Sequence, residues 1–155
     1  MSQTSYSTEA ARAFAGMLAT SDAEVKSSIS RANEESSAVA WGKPAVAGTD
    51  AETQFLLPSG AGDVFLGCTV HRHGSEDATD DGIASGEVAE LLRRGPVWVI
   101  AKTQVAVGDD VYWDHTTNPG TWRNDSTTAV QVPGAKFMVA TSGADQLTVI
   151  DFNVP

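Results

Sequence analysis

The densest group of metal-ligating side chains in the sequence lies between positions 71 and 81: His71, His73, Glu76, Asp77, Asp80 and Asp81. In an extended strand His71 and His73 point to one face, as a two-histidine site requires. Two histidines do not complete a zinc site, and a third ligand would have to come from the acidic stretch that follows. Solvated histidines at a strand end are the simpler reading. The run from Asp77 to Asp81 does not fit a calcium loop either, because its glycine comes too late and the closing glutamate is missing. No metal is expected.

Other reactive combinations dissolve in the same way. Asp114-His115 would need a serine nucleophile, and no serine sits in a Gly-x-Ser-x-Gly elbow. Asp109 and Asp110 are neighbours, which a strand sends to opposite faces, so Gly108-Asp109-Asp110 reads as a turn and not as a general acid and base. Pro58-Ser59-Gly60-Ala61-Gly62 lacks the lysine and the helix of a phosphate loop. Asn124-Asp125-Ser126 matches the glycosylation tripeptide, a common chance match that carries no weight without a secretory signal. Cys68 lies in the apolar run Val64-Phe65-Leu66-Gly67-Cys68-Thr69-Val70, where a buried, inert thiol is expected. Trp41, Trp98, Trp113 and Trp122 could line a ligand pocket, but Trp98 and Trp113 sit in strong strand patterns and are expected in the core. Trp122 follows the turn Asn118-Pro119-Gly120 and is expected to be partly exposed, as interface aromatics are. No catalytic residue and no cofactor emerge.

The elements that would position these residues are mainly β. A chain of 155 residues is the size of one domain. After Ser37 it becomes a succession of short apolar runs separated by Gly, Pro, Asp and Asn. Eight or nine such runs predict a single small β-barrel or sandwich of short antiparallel strands over residues 37–155. Residues 88–114 form its central meander, with Arg93-Arg94-Gly95-Pro96 as a basic turn. The clearest hairpin joins the alternating segments at Phe137 to Thr141 and Leu147 to Phe152. The acidic stretch at residues 75–86 is expected as an exposed loop.

Residues 1–36 read as an N-terminal arm. Its first eight residues are too polar to pack alone, and Phe14-Ala15-Gly16-Met17-Leu18 is an isolated apolar patch suited to docking. Ser21-Asp22-Ala23-Glu24 fits a capping box, and Val25, Ile29 and Ala32 share a helical face, so residues 22–35 read either as a short helix or as an extended arm. Twenty acidic against ten basic residues give a formal net charge of −10, which disfavours nucleic-acid binding. No run reaches the length of a membrane helix and no secretory signal is visible, so the expectation is synthesis in the cytoplasm with no membrane partner.

Several of these segments, taken in order, resemble the structural cement, or head-decoration, proteins of tailed bacteriophages. The resemblance rests on the early Phe14-Ala15-Gly16-Met17-Leu18-Ala19, on Ile29-Ser30-Arg31-Ala32-Asn33-Glu34-Glu35 followed by Trp41-Gly42, and on Phe65-Leu66-Gly67. It continues through Leu92-Arg93-Arg94-Gly95-Pro96-Val97-Trp98-Val99 and Gly108-Asp109-Asp110-Val111-Tyr112, and ends with Pro133-Gly134-Ala135-Lys136-Phe137 as a hairpin. It departs from the family at Trp41, where a Pro-Phe or similar pair would precede the glycine, and in the acidic residues 75–86.

The resemblance implies a non-enzymatic virion protein on the outer surface of the phage head, commonly a homotrimer, that ties major capsid protein subunits together against the pressure of packaged DNA. Tyr6, Phe14, Met17 and Leu18 are the candidate arm anchors; Arg93, Arg94 and Trp122 are the candidate capsid or subunit contacts. The competing expectations are a small-ligand or carbohydrate-binding β-barrel that uses the tryptophans, and another virion component such as a spike or tail part.

Overall fold

A computed structural model describes residues 13–19, 27–71 and 82–154. Among these the chain is all β, with strands β1 (Ser27–Asn33), β2 (Pro44–Ala47), β3 (Gln54–Leu56), β4 (Phe65–Val70), β5 (Val88–Ala101), β6 (Asp110–Asp114), β7 (Trp122–Arg123), β8 (Ala129–Phe137) and β9 (Gln146–Asn153). The mainly β expectation is met, with pairings that close partly into rings.

β5 is the axle of this arrangement. Its 14 residues run without a break through Arg93-Arg94-Gly95-Pro96, the expected basic turn. Gly95 has φ 122°, a value side-chain-bearing residues rarely adopt, and it lets the strand bend without ending. One edge of β5 pairs with β4 (Cys68↔Leu92 to Val70↔Glu90) and then with β9 (Arg94↔Asn153 to Ala101↔Gln146). The other edge pairs with β1 (Ser27↔Arg94 to Ala32↔Val88), then bridges Leu18 at Val97, and ends at Trp122 of β7.

Two rings of five strands therefore share β5. The first runs β5-β4-β2-β3-β1 and back to β5; the second runs β5-β7-β6-β8-β9 and back to β5. Adjacent side chains on a strand point to opposite faces, so Leu91 and Leu92 serve different cores. Leu91 joins Val39, Ala45, Phe55, Leu66, Ile83 and Ala89 in the first ring. Leu92 joins Cys68 and Val70 in a cluster that continues through Val97, Val99, Trp113, Trp122, Phe137, Ile150 and Phe152 of the second. Burial on both faces explains why β4 reads as an uninterrupted apolar run. Gly67 is required in it, because a Cβ there would stand 2.7 Å from the Leu92 carbonyl oxygen.

One open reading is settled and two local expectations are corrected. Residues 27–33 form a strand and not a helix: the free edge of β5 offers them a complete ladder, and this outweighs a helical signal already weakened by serines. The capping-box residues 21–24 and Val25 lie outside the described residues. Pro133-Gly134 does not open a hairpin but sits inside β8, where the register against β6 shifts between Asp110 and Tyr112. Proline, with no N–H to give, is at home in such a bulge. The strand accordingly starts at Ala129 and stops at Phe137, earlier than the alternation to Thr141 implied. Finally, the stretch 75–86 is not exposed throughout, since Ile83 is 1% exposed and bridges Val39 within the first core.

Candidate functional site

The apolar N-terminal patch docks on the protein's own body. Gly16 N–H donates to the Trp98 carbonyl (2.7 Å), Trp98 N–H to the Met17 carbonyl (2.8 Å), Ala19 N–H to the Pro96 carbonyl (3.0 Å) and His71 N–H to the Gly16 carbonyl (2.9 Å). Leu18 packs into the second core. Gly16, at φ 87°, lies flat on Trp41 and Gly42, and any Cβ would strike the Trp41 Cβ. Of the arm anchors named from sequence, Met17 and Leu18 are half-buried in this contact and Phe14 is 46% exposed. Tyr6 lies outside the described residues.

Phe14, Trp41 and His71 meet at the end of this segment. The His71 ring is edge-on to Phe14 at 5.2 Å and to Trp41 at 5.1 Å, and with Ala15 and Ala40 they line an open groove. Trp41 thus stands beside a cavity. Among the described residues no three His, Cys, Asp or Glu side chains come together as a metal site, and His73 through Asp81 lie outside them.

A second apolar surface covers the outer face of β5, β9 and the end of β8. Val97, Val99 and Ala101 point inward, so Trp98 and Ile100 point out. Register partners share a face, which sets Leu147 beside Ile100 and Val149 beside Trp98. Met138, whose N–H donates to the Val149 carbonyl, extends the row. Ile100 is 47%, Met138 48% and Leu147 38% exposed. Trp98, expected in the core, stands half-buried on this face. The sequence carried the signal: a strand apolar at every position from Val97 to Ala101 has an apolar outer side as well as an inner one.

The remaining sequence candidates divide. Arg94 is exposed and its Nε–H reaches the Val154 carbonyl at 3.4 Å; Arg93 is half-buried, and its carbonyl accepts the Val154 N–H. Both lie on β5 itself and not on a projecting turn. Trp122, expected to be partly exposed, is 1% exposed. It packs against Phe65 and Phe152 and donates its Nε1–H to the Gly42 carbonyl at 2.7 Å, because the turn before it feeds directly into β7 in the ring interior.

The polar groups that suggested chemistry are structural. Asp114 is buried and accepts the N–H groups of Thr116 (2.9 Å) and Thr117 (3.0 Å) and the Arg123 guanidinium (2.7 Å). Burial works to raise its carboxyl. The Thr116 N–H, the Arg123 guanidinium and the Asn118 and Thr117 N–H groups outweigh that and hold it below the usual carboxylate range. With its oxygens committed to a loop, it is a clamp and not a base. His115 Nδ1 lies 2.8 Å from Thr116 Oγ1. Asp109 accepts from Ala106 N–H and Asn124 Nδ2, forming the expected turn. Burial pushes the Cys68 thiol far up, with Lys43 opposing only in part, so no thiolate forms.

Among the described residues, then, the β-body carries two apolar surfaces and no metal-type cluster. The sequence family described as structural cement protein (E217 gp24/Pam3 gp6) matches residues 2–153. The chain belongs to that family of phage structural cement proteins. A chain from the solved capsid of Myoviridae phage XM1 has a similar fold, with a TM-score of 0.70 over 94% of this chain and 93% of that one at 17% sequence identity. No curated protein matches the sequence.

Proposed function

We propose that the protein binds the outer surface of a phage head as a homotrimer and ties neighbouring major capsid protein subunits together against the pressure of packaged DNA. The family match over residues 2–153 is the observation that carries this reading. The exposed row Ile100, Leu147 and Met138 supports it, because exposed apolar side chains in contiguous groups on a rigid body mark protein interfaces. The chain's acidity, with net charge −10, favours a protein partner over the genome. Three copies held together multiply contacts that are individually weak, so attachment needs no reactive group.

Residues 14–19 pair with the body's own β5, and the tether is proposed to lie in the residues before them. Deleting residues 1–12 should leave a folded protein that binds preformed, expanded heads at least tenfold more weakly. Light scattering should give the mass of three 16.2 kDa chains, and the full-length protein should raise the melting temperature of heads that lack it. Unaltered head melting at saturating protein would refute the cement role. A monomer in light scattering would refute the trimer.

A further inference from the structure

We infer that the apolar outer face of β5, β9 and the end of β8 is where copies of this chain meet, each turning that face inward around a common axis; this rests on the homotrimer reading above and names the surface that holds the trimer. Ile100 stands beside Leu147 and Trp98 beside Val149, with Met138 next on β8. The alternate residues Val97, Val99, Ile150 and Phe137 are fully buried, so the row is the back of a packed, rigid sheet. An antiparallel sheet with one face in water alternates apolar inward and polar outward. This face breaks that rule on neighbouring strands at once, as a face does when something covers it. Exposed ion pairs bound it along the strands. At one end Lys102 Nζ lies 3.0 Å from Asp145 Oδ1, and at the other Lys136 Nζ lies 2.6 Å from Asp110 Oδ1, with Asp151 the register partner of Lys136. An apolar centre inside a charged rim is how protein interfaces are built.

The rim selects the occupant. With twenty acidic and ten basic residues, two copies repel one another at long range. On this face the charges are matched, so it is a place where a second acidic copy can approach. The match also has a direction. Lys102 follows β5 and Asp145 precedes β9, which puts the cation on one side of the face and the carboxylate on the other. Rotation of the face about a threefold axis brings Asp145 of one copy toward Lys102 of the next, and the charges alternate around the axis. The apolar rows then line the inside of a three-sided prism of sheets, with the ion pairs closing its ends. Trp98 and Met138, residue types enriched at interfaces, lose their water there. The assembly closes on itself and leaves no row uncovered.

Ile100→Glu and Leu147→Glu test this. Both side chains are exposed on the single chain, so each variant should keep the far-ultraviolet circular dichroism of the native protein. In light scattering each should fall to one chain of 16.2 kDa, or associate at least tenfold more weakly. If the native protein is a trimer and both variants remain trimers, the inference is wrong and the trimer stands. Trimeric variants that no longer bind heads would give the face to the capsid protein, which overturns it equally. A monomeric native protein removes this inference and the trimer together. Should the variants not fold, the native protein supplies the readout. Met138 is 48% exposed on the single chain, so its oxidation to the sulfoxide by peroxide, followed by mass spectrometry, should run at least fivefold slower in the trimer than after dilution to monomers. Equal rates would overturn the inference.

Discussion

The two rings that share β5 are held in different ways. Among the described residues the second core has fifteen buried members, including Trp113, Trp122, Phe137 and Phe152. The first has seven, with Phe55 its one aromatic. The smaller first ring is tied instead through a run of adjacent side chains that bond its loops. Asn33, 2% exposed, donates its Nδ2–H groups to the Ile83 (2.9 Å) and Ser37 (3.1 Å) carbonyls and accepts the Glu35 N–H on Oδ1. Glu34 and Glu35 in turn accept the backbone N–H groups of Thr49 and Leu57. Large aromatics set a stable mass, whereas hydrogen-bonded joints fix where loops start and end.

Substitutions can break that contrast, beginning with the largest effect. Trp122→Ala removes a ring from the second core and the bond to Gly42 that stitches it to the chain beside the first. It should cost about 3–5 kcal/mol in denaturant unfolding. If the rings are one cooperative unit, all probes should still report a single transition. Asp114→Ala leaves the Arg123 guanidinium without its buried partner and should cost about 3 kcal/mol. The native carboxyl is depressed, so its contribution is complete above the unfolded value of about 3.9 and is lost as pH falls through the lowered folded value. The variant's deficit should therefore shrink in urea titrations below about pH 4. Asn33→Ala removes three hydrogen bonds from the first ring, the acceptor of the Glu35 N–H among them, and should cost about 1–3 kcal/mol. Its hydrogen exchange should quicken around Ile83 and leave Trp113 unchanged. Equal acceleration in both rings would erase the distinction between them.

Which parts were legible in the sequence follows the same division. The apolar runs announced β4, β5, β6 and β9, because burial on one or both faces leaves a direct trace in residue type. β1 was not legible. Ser27, Ser28 and Ser30 give it no strand composition, and its form comes from the edge of β5, more than fifty residues away in the chain. Arg93-Arg94-Gly95-Pro96 misled for a related reason: Gly-Pro marks most turns, but here a long strand bends and continues because its partners change from β4 to β9 on one side. Trp122 misled because a turn predicts the backbone and says nothing about which way the next side chain faces. The apolar outer row at Ile100 and Leu147 could not be told from core until the register placed them side by side.

The continuity of β5 has a mechanical consequence. Bonds between strands run perpendicular to the strand direction. A pull that separates the two rings along β5 therefore loads its ladders in shear, with many bonds resisting together. Had the chain turned at Gly95, the same pull would peel the rings apart one bond at a time. A single bent strand clamped on both edges stiffens the molecule along the line joining its two halves.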